Sequence, residues 1–446
     1  MTTDHLDKQF VWHPCTQMKD HEVQPPIEIV RGEGVYLYDR DGRRYIDGIS
    51  SWWVNLLGHN HPRLTAALQQ QAETLEHVIF AGFTHEYGAR LAAELCRIAP
   101  GSPAKVFYAD CGSAAVEVAM KMSFQFWRQT GHPEKKKFVS IGGAYHGETL
   151  GALSIGGLEL YRGLYKPILL DTIEIPGPDC LPDGSGRGRE ERSLAGFRAL
   201  EQAVRKHQHE IAAICIEPMI QCANNMNMYS PEYLRLLRGL CDECAIDLIA
   251  DEIAVGFGRT GRMFGSEHAE IAPDFLCVSK GLTGGYLPFS AVVVQRQEVF
   301  DAFYGEYTEY KAFYHSHSYT GNPMACRVAL EAIDIVEKEA LPALPERIAL
   351  LSRILARLEK LPHVAEVRQC GFVGAVELVR SREPFERYEV GERVGWQAYR
   401  EALKRGALLR PLGDVLYFFT PLTIPLDVLE ELGDIAYRTI TKVTEP

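Results

Sequence analysis

The sequence predicts an α/β protein in which a large domain with a mostly parallel sheet is joined to a smaller α+β domain. Short runs that are apolar almost throughout alternate with longer runs whose apolar residues recur at helical spacing. Strands covered on both faces have this continuous apolar character, and helices between them indicate βαβ units. The predicted strands of the large domain are 105–108, 138–141, 211–216, 247–250, 275–278 and 291–294.

Helices are predicted where apolar residues follow a period of about 3.6. Over 114–127 the apolar side chains share one helical face. Beyond residue 322, two further helical runs, 325–338 and 348–358, are followed by short strands around 371–378 and 407–410. This change of pattern predicts a smaller α+β unit in the C-terminal part of the chain.

The N-terminal residues are predicted to join this smaller unit. The stretch GVYLYDRDGRRYIDG is typical of a β-hairpin, with Asp41 and Gly42 at its turn. We therefore assign residues 1–60 and 326–446 to the small domain and residues 61–325 to the large domain. The stretch 176–192 is rich in Gly, Pro and charge, which predicts a surface loop.

Charge and composition exclude several classes of function. The 446-residue chain carries 47 basic and 59 acidic side chains, and its net charge of −12 is unlike that of a general nucleic-acid binder. It has no apolar run of about 18 residues, so no membrane partner is expected. The N-terminus lacks a secretory signal, and the 11 cysteines follow no disulfide spacing. We therefore expect reduced thiols and a cytoplasmic protein.

Three polar motifs follow predicted strands and together point to one cofactor. The turn Asp110-Cys111-Gly112-Ser113 precedes a helix, whose free N–H groups and the Ser113 hydroxyl would bind an anion. Asp251 and Lys280 each follow a strand end, where open α/β sheets bind ligands. An anion turn, a carboxylate and a lysine are what pyridoxal phosphate needs, for its phosphate, its pyridine nitrogen and its Schiff base.

Other motifs have weaker signals. Tyr145, after the strand 138–141, could stack on a flat cofactor ring, and a core aromatic residue is the alternative. The G-x-G-x-x-G match at 256–261 does not connect a strand to a clean apolar helix, which disfavours dinucleotide binding. No metal is expected, because the short-spaced pairs lack supporting ligands. Those pairs are His59 and His61, His315 and His317, and Cys241 and Cys244.

The chain resembles the class III aminotransferases, which are pyridoxal phosphate enzymes of fold type I. Residues 249–285, IADEIAVGFGRTGRMFGSEHAEIAPDFLCVSKGLTGG, look like the signature of that family. Within the class, the chain is similar to the branch that transfers an amino group from S-adenosylmethionine to 8-amino-7-oxononanoate in biotin biosynthesis. The segments that carry this finer resemblance are Trp12-His13-Pro14, Ser50-Ser51-Trp52-Trp53, Gly58-His59-Asn60-His61-Pro62 and Leu409-Arg410-Pro411-Leu412-Gly413.

The resemblance implies which residues bind the cofactor. Lys280 would bind pyridoxal phosphate as a Schiff base, and Asp251 would pair with the pyridine nitrogen. Gly112 and Ser113 would bind the phosphate, and Tyr145 would lie against the ring. Lys280, Asp251 and Tyr145 are therefore the expected catalytic residues.

The resemblance also implies a substrate site. Trp52, Tyr145 and Lys280 would line it, and Arg410 would bind the distant carboxylate of the acceptor. Cys15 stands where this branch often has a substrate-contacting tyrosine in H-P-Y-T. This departure concerns the fine substrate preference, because the residues expected to carry the reaction are unaffected.

A homodimer with shared active sites is implied as well. The loop 315–321 of one subunit would reach the site of its partner, where Ser316 would contact substrate and His317 and Ser318 the phosphate. Ser316 replaces a frequent glycine, Ser318 a frequent threonine and Glu148 a usual aspartate. Ser318 keeps the hydroxyl group that the phosphate contact requires.

Three alternatives remain open from the sequence. An ω-amino acid or amine:pyruvate aminotransferase would share the cofactor site and differ at Trp52 and Arg410. Lysine, instead of S-adenosylmethionine, is the amino donor in some relatives. A nicotinamide oxidoreductase built on the 256–261 motif belongs to another class, and it would lack the yellow absorbance of a lysine-bound pyridoxal phosphate.

Overall fold

A computed structural model describes residues 2–445 and confirms the α/β architecture. Six strands of the central sheet run in one direction, and Ser290–Val294 is antiparallel to both of its neighbours. All six strands predicted from the sequence are present, and Ile173–Ile175 was not predicted. The spatial order is Lys105–Ala109, Ser290–Val294, Phe275–Val278, Asp247–Asp251, Ile211–Ile216, Lys137–Ile141 and Ile173–Ile175.

Both faces of this sheet are covered, which accounts for its continuous apolar strands. Side chains alternate across a strand, so neighbouring residues enter different cores. Ile249 packs in the core that contains helix Gly112–Gln129. Ala250 packs on the opposite side, in the core that contains helix Pro323–Ile335. The polar ends of the strands are left at the edges of these two layers.

The helices follow the predicted pattern with different ends. The helical run 114–127 lies within Gly112–Gln129, and 348–358 lies within Leu341–Leu358. The run 325–338 lies in Pro323–Ile335 and the π-helical turn Val336–Ala340 that follows it. The remaining α-helices are Thr3–Phe10, Pro62–Ala72, Glu86–Ile98, Leu150–Ile155, Glu159–Arg162, Arg189–His207, Pro231–Glu243, Gln297–Ala302, Val394–Lys404 and Leu426–Thr444.

The N-terminal and C-terminal parts of the chain share a second sheet. The predicted hairpin is present, with strands Tyr36–Asp39 and Arg44–Asp47 joined at Gly42, whose φ of 79° suits glycine. Strand Arg44–Asp47 also pairs in parallel with Ala407–Leu408. The division into 1–60, 61–325 and 326–446 stays a prediction. The other short sheets are Ile29–Glu33 on Tyr36–Asp39; Val364–Cys370, Val373–Leu378 and Val415–Phe418; Ile220–Gln221 with Asn227–Met228; and Ser381–Arg382 with Phe385–Glu386.

The predicted surface loop 176–192 is partly wrong. Helix Arg189–His207 begins inside it, and Arg192 is buried. The Arg192 guanidinium donates to the backbone oxygens of Cys180 (2.8 Å) and Arg187 (2.6 Å), so it ties the loop to the helix. Composition predicted the irregular stretch before Arg189 but gave no sign of the helix that begins there or of this anchoring contact. No helix within residues 2–445 is long and apolar enough to cross a membrane.

Candidate active site

Polar residues follow three neighbouring parallel strands at one edge of the central sheet. Asp251 ends strand Asp247–Asp251, Glu217 follows the strand on one side, and Lys280 follows the strand on the other. Because these strands are parallel neighbours, their carboxyl ends meet at one edge. All three residues line a cavity of about 290 Å³. Gly112, Ser113 and Tyr145 line the same cavity, so the structure brings the predicted cofactor residues of one chain together.

Lys280 is held in this cavity by its backbone and by an aromatic neighbour. Its φ of 36° is left-handed, which is uncommon for a residue other than glycine. Its Nζ lies 5.1 Å from the centre of the Trp53 ring. Burial lowers the pKa of the Lys280 amine from its usual value, and the negative charge of Asp251 opposes this effect. A lowered pKa increases the neutral fraction of the amine, which is the nucleophilic form.

Asp251 is a buried carboxylate with a histidine partner. Its Oδ2 lies 2.8 Å from His146 Nδ1, and its Oδ1 accepts from the backbone N–H of Ile253 at 3.1 Å. Both contacts fix the orientation of the carboxylate. The other ring nitrogen of His146, Nε2, is buried without a hydrogen-bond partner in the described residues. His146 was not assigned a role from the sequence, although it is adjacent to Tyr145.

The opposite wall of the cavity is the beginning of helix Gly112–Gln129. The N-cap residue Cys111 makes no side-chain capping bond, and the first N–H groups of any α-helix lack partners within the helix. Ser113 lies close to Gly147, since a Cβ at Gly147 would be 2.4 Å from the Ser113 Cβ. This close approach and the φ of 120° at Gly147 both require glycine. The cavity is therefore narrow at this helix start, where free N–H groups favour an anion.

Glu217 is a cavity residue that the sequence analysis did not predict. Its carboxylate accepts from the backbone N–H groups of Tyr145 and Cys222, both at 3.0 Å. Burial raises the pKa of Glu217 to about 7, and the nearby His146 counteracts this effect. The signal was its place directly after the strand Ile211–Ile216, which is the same signal that identified Asp251.

Glu252, the neighbour of Asp251, faces away from the cavity. Its fully buried carboxylate accepts from the N–H groups of Gly265 (2.8 Å) and Ser266 (2.7 Å), and from the Ser266 hydroxyl at 2.7 Å. It therefore anchors the chain that follows the 256–261 motif. That chain forms the short 3-10 turn Gly265–Ala269 and not the helix of a dinucleotide-binding unit.

A second, larger cavity of about 760 Å³ contains Cys15 and Arg410. Arg410 Nη2 donates to the Cys15 backbone oxygen at 3.4 Å. Partial desolvation and then the Glu148 charge raise the pKa of the exposed Cys15 thiol, while the Arg410 charge opposes them. Glu148 also accepts from the Tyr145 hydroxyl at 3.0 Å, so these side chains connect the two cavities.

The two tryptophans lie in a left-handed turn, Ser50–Trp53. The φ angles are 49°, 44°, 76° and 71°, and left-handed backbone costs roughly 1–2 kcal/mol per residue. Trp53 is buried and lines the smaller cavity. Trp52 is 42% exposed, and the Arg410 guanidinium lies 5.2 Å from its ring centre. Trp52 and Arg410 are thus brought together as the predicted substrate site requires, whereas the position of Trp53 was not predicted.

The structure does not bring the loop 315–321 into the cavity of its own chain. Ser316 and Ser318 are exposed, and His317 Nδ1 lies 3.0 Å from Asp110 Oδ2, beside the anion-binding turn. The His315 Nδ1 lies 2.9 Å from Lys121 Nζ. The predicted roles of Ser316, His317 and Ser318 therefore depend on a second subunit.

The whole sequence can be assigned to a family. Residues 17–440 match the family described as Aminotransferase class-III. This chain is a class III aminotransferase. Enzymes of this class depend on pyridoxal phosphate, so the predicted enzyme class and cofactor are confirmed.

Individual relatives of this aminotransferase match it over nearly its full length. The adenosylmethionine-8-amino-7-oxononanoate aminotransferase of Geobacter sulfurreducens is 45% identical over 442 residues, 98% of this chain and 97% of that protein. The crystal structure of the enzyme of the same name from Methanocaldococcus jannaschii has a TM-score of 0.92 and 36% identity, covering 98% of each chain. An omega transaminase from Pseudomonas jessenii in complex with PMP has a TM-score of 0.94 and 30% identity, covering 100% of this chain and 99% of that one.

The cavity of this aminotransferase fits pyridoxal phosphate. The helix beginning at Gly112 suits a phosphate, and the glycine at 147 lets the chain approach Ser113 at that helix start. Asp251 offers a buried carboxylate to a pyridinium nitrogen, and Lys280 offers an amine. The buried Nε2 of His146, beside Asp251, has no hydrogen-bond partner in the described residues, so it is free to bind a further polar group.

We expect Cys15→Tyr to be tolerated. Cys15 is exposed at the larger cavity, so a tyrosine there meets no packed core. Cys15 already has a left-handed φ of 46°, so exchanging it for another residue with a Cβ should add little backbone strain. The phenol should change KM for one substrate and leave the cofactor spectrum intact. Thermal melting and steady-state kinetics check this, with Cys15→Ser as the control of similar size. A large fall in Tm with unchanged kinetic constants would place Cys15 in the core instead.

Proposed function

We propose that this enzyme transfers an amino group from S-adenosylmethionine to 8-amino-7-oxononanoate, giving 7,8-diaminononanoate in biotin biosynthesis. The observation that carries the proposal is Arg410 on the Trp52 ring, beside the cavity that contains Lys280. In this acceptor, an alkyl chain separates the carboxylate from the ketone. The enzyme therefore needs a cation for the carboxylate at some distance from the Lys280 amine, where the ketone reacts. The Geobacter and Methanocaldococcus relatives bear the name of this activity.

The residues of the smaller cavity would hold the cofactor. Lys280 would bind it through its amine, Gly112 and Ser113 through its phosphate, and Tyr145 would lie against its ring. Asp251, negatively charged and oriented by His146, would keep the pyridine nitrogen protonated. Bound pyridoxal phosphate supplies an electron sink for the electron pair left when the α-proton of the donor departs.

Lys280 has a second proposed role as the general base and acid. Its lowered pKa favours the neutral amine, which can accept the α-proton of the donor and then give it up again. The Trp53 ring, 5.1 Å from the Lys280 Nζ, excludes water from one side of that amine. Because water is excluded there, the proton is exchanged between the substrate and Lys280 and is not lost to solvent.

The acceptor would lie between the two cavities. Trp52 and Tyr145 would contact its alkyl chain, and Arg410 its carboxylate. Cys15 would contribute at the mouth, where its backbone oxygen already accepts from Arg410. An apolar aromatic passage that ends in a cation matches an ω-carboxylated alkyl ketone better than a small amine.

A homodimer would complete the site. Several large apolar side chains of the described chain are exposed and would be available to a second copy. In the dimer, Ser316 would contact substrate, and His317 and Ser318 would contact the phosphate in the partner subunit. The exposed set includes Trp12, Ile79, Phe83, Leu160, Leu164, Tyr304, Tyr307, Tyr310 and Tyr319. All 11 cysteines are free, which supports a reducing, cytoplasmic environment.

The competing function is that of an ω-transaminase. The Pseudomonas jessenii omega transaminase is as similar in structure as the Methanocaldococcus enzyme, so similarity of fold does not separate the two activities. Direct assay separates them: purified holoenzyme is mixed with S-adenosylmethionine, lysine or an aliphatic amine, and loss of the yellow cofactor absorbance is followed. Bleaching by simple amines together with turnover of pyruvate would favour the ω-transaminase.

We expect Lys280→Ala to lose activity by several orders of magnitude while the fold survives, because the covalent contact and the proton carrier are both removed. Lys280→Arg keeps the charge but cannot replace the amine, so it should be equally inactive. Lys404→Ala, an exposed lysine of helix Val394–Lys404, is the control and should retain full activity. More than a few percent of wild-type turnover in Lys280→Ala would contradict the assignment.

We expect Arg410→Ala to impair the second half-reaction more than the first. A desolvated charge-assisted contact with the acceptor carboxylate is worth about 1.5–3 kcal/mol, which corresponds to a tenfold to hundredfold loss in kcat/KM for the ketone. Donor-dependent bleaching should be nearly normal. Arg393→Ala is the matched control, because Arg393 lines the same larger cavity but pairs with Asp20. An equal loss in both half-reactions would show that Arg410 is not specific for the acceptor.

We expect subunits with complementary defects to restore activity when mixed. A Lys280→Ala subunit keeps a normal loop 315–321, and a His317→Ala/Ser318→Ala subunit keeps Lys280. The mixed dimer then has one complete site of two, and random pairing makes about half of the dimers mixed. The refolded mixture should therefore recover about a quarter of the wild-type activity. Activity is measured after unfolding and refolding the mixture. No recovery, with dimers confirmed by light scattering, would mean that each site is formed by one subunit.

A further inference from the structure

His59, one histidine of the H-x-H pair at 59 and 61, contacts a buried carboxylate. Its Nε2 lies 2.9 Å from Asp47 Oδ2, and the Asp47 side chain is fully buried. The backbone of His59 is fixed at the same time, because its N–H donates to Gly34 and its C=O accepts from Gly34 at 3.0 Å. A Cβ at Gly32 would be 2.8 Å from His59 Cβ, so the hairpin also confines the ring.

The Asp47 carboxylate accepts three further hydrogen bonds. Their donors are in the left-handed turn Ser50–Trp53 or in Ile49, the residue before it. Its Oδ1 accepts from the N–H groups of Ser51 (2.9 Å) and Ile49 (3.3 Å). Its Oδ2 accepts from the Ser51 hydroxyl at 2.7 Å. Four consecutive residues other than glycine with positive φ persist only where surrounding contacts hold them. The Asp47 carboxylate makes the contacts that hold this turn at Ser51.

The same histidine also connects the turn to the segment that carries Lys280. In the amide orientation that satisfies every polar atom, Asn55 Oδ1 accepts from His59 Nδ1 at 2.6 Å. The Asn55 amide then donates to the backbone oxygens of Gly58 (2.9 Å) and Gly284 (3.3 Å). Gly284 directly follows the 3-10 turn Lys280–Thr283. One chain of contacts therefore extends from Asp47 to the lysine segment.

We propose that Asp47 and His59 are positioning residues for substrate binding. They hold Ser50–Trp53 in its left-handed form, which sets Trp52 against Arg410 and Trp53 against Lys280. Neither residue lines the smaller cavity, so each acts through the tryptophans. The proposal rests on the proposed function in one respect, which is that Trp52 and Arg410 form the acceptor site.

The test compares Asp47→Ala and His59→Leu with the conservative variant His59→Gln. Without the carboxylate or the imidazole, the turn relaxes and Trp52 leaves Arg410, so KM for 8-amino-7-oxononanoate should rise about tenfold or more. His59→Gln keeps an N–H donor for Asp47 and should recover most of the loss. His61→Gln, in the same loop but outside this network, is the matched control and should behave as wild type.

A readout without catalysis makes the test independent of activity. The near-ultraviolet circular dichroism of the apo-protein contains contributions from all five tryptophans, so the change caused by Trp52→Ala identifies the contribution of Trp52. Asp47→Ala and His59→Leu should produce a similar change, and His59→Gln should restore the wild-type spectrum. Far-ultraviolet spectra check that each variant is folded. If Asp47→Ala does not fold, Ser51→Ala replaces it, because it removes only the hydroxyl donor at 2.7 Å from Asp47. A lowered Tm with unchanged KM and unchanged near-ultraviolet signal would overturn the proposal.

A double variant distinguishes positioning from an independent effect. If Asp47 acts through Trp52, then Asp47→Ala should add little to the KM change of Trp52→Ala, because coupled residues are not additive. Full additivity would overturn the proposal. Failure of the proposed function has a different signature, which is an equal effect of Arg410→Ala on both half-reactions. That result leaves the near-ultraviolet prediction for Asp47 and His59 standing and testable.

Discussion

The register between two parallel strands determines where the reactive groups of this enzyme lie. Asp251 pairs with Cys277 across strands Asp247–Asp251 and Phe275–Val278, and Lys280 is three residues beyond that pair. A shift of one residue would turn Asp251 to the opposite face of the sheet, into a helix-covered core. Such a shift is unfavourable, because both faces of the sheet are covered by helices and the Asp251 charge would then be buried among apolar side chains. Packing of the apolar strands thus fixes the separation of the Asp251 carboxylate and the Lys280 amine.

Burial of charge around this edge is possible because almost every carboxylate has specific donors. Asp47, Asp251 and Glu252 each accept at least two hydrogen bonds from backbone or side-chain groups. Glu217 depends on two backbone N–H groups, and burial still raises its pKa. Unpaired buried charges destabilise a protein strongly, whereas oriented ones create a local field. The site therefore consists of rigid, pre-oriented groups around a lysine with a lowered pKa.

The sequence predicted those parts of the site that depend on local rules. Asp251 and Lys280 could be found because apolar runs reveal where strands end, and Ser113 because it begins a helix. His146 could not be assigned to Asp251, since that contact depends on how two distant strands are placed. The left-handed turn at Trp52 and Trp53 contradicts the local preferences of its residues. It is held by the nearby Asp47 carboxylate and by long-range hydrogen bonds from Ser50 to Phe419 and from Trp53 to Tyr417, which one sequence does not reveal. The roles predicted for the loop 315–321 came from the family resemblance alone, because this loop does not line the smaller cavity of its own chain.

Strand Ser290–Val294, the antiparallel strand of the central sheet, affects the order in which the sheet can form during synthesis. Strand Lys105–Ala109 leads into the anion-binding turn, yet within residues 2–445 it pairs in the sheet only with Ser290–Val294. The Ser290 hydroxyl also donates to the Cys111 backbone oxygen at 2.7 Å. A growing chain therefore carries an unpaired edge strand until the later strand leaves the ribosome, and non-local pairing of this kind is slow and exposed to aggregation. The contact between Ser290 and the turn before helix Gly112–Gln129 can therefore form only late in synthesis, after the residues of the five other parallel strands have been made.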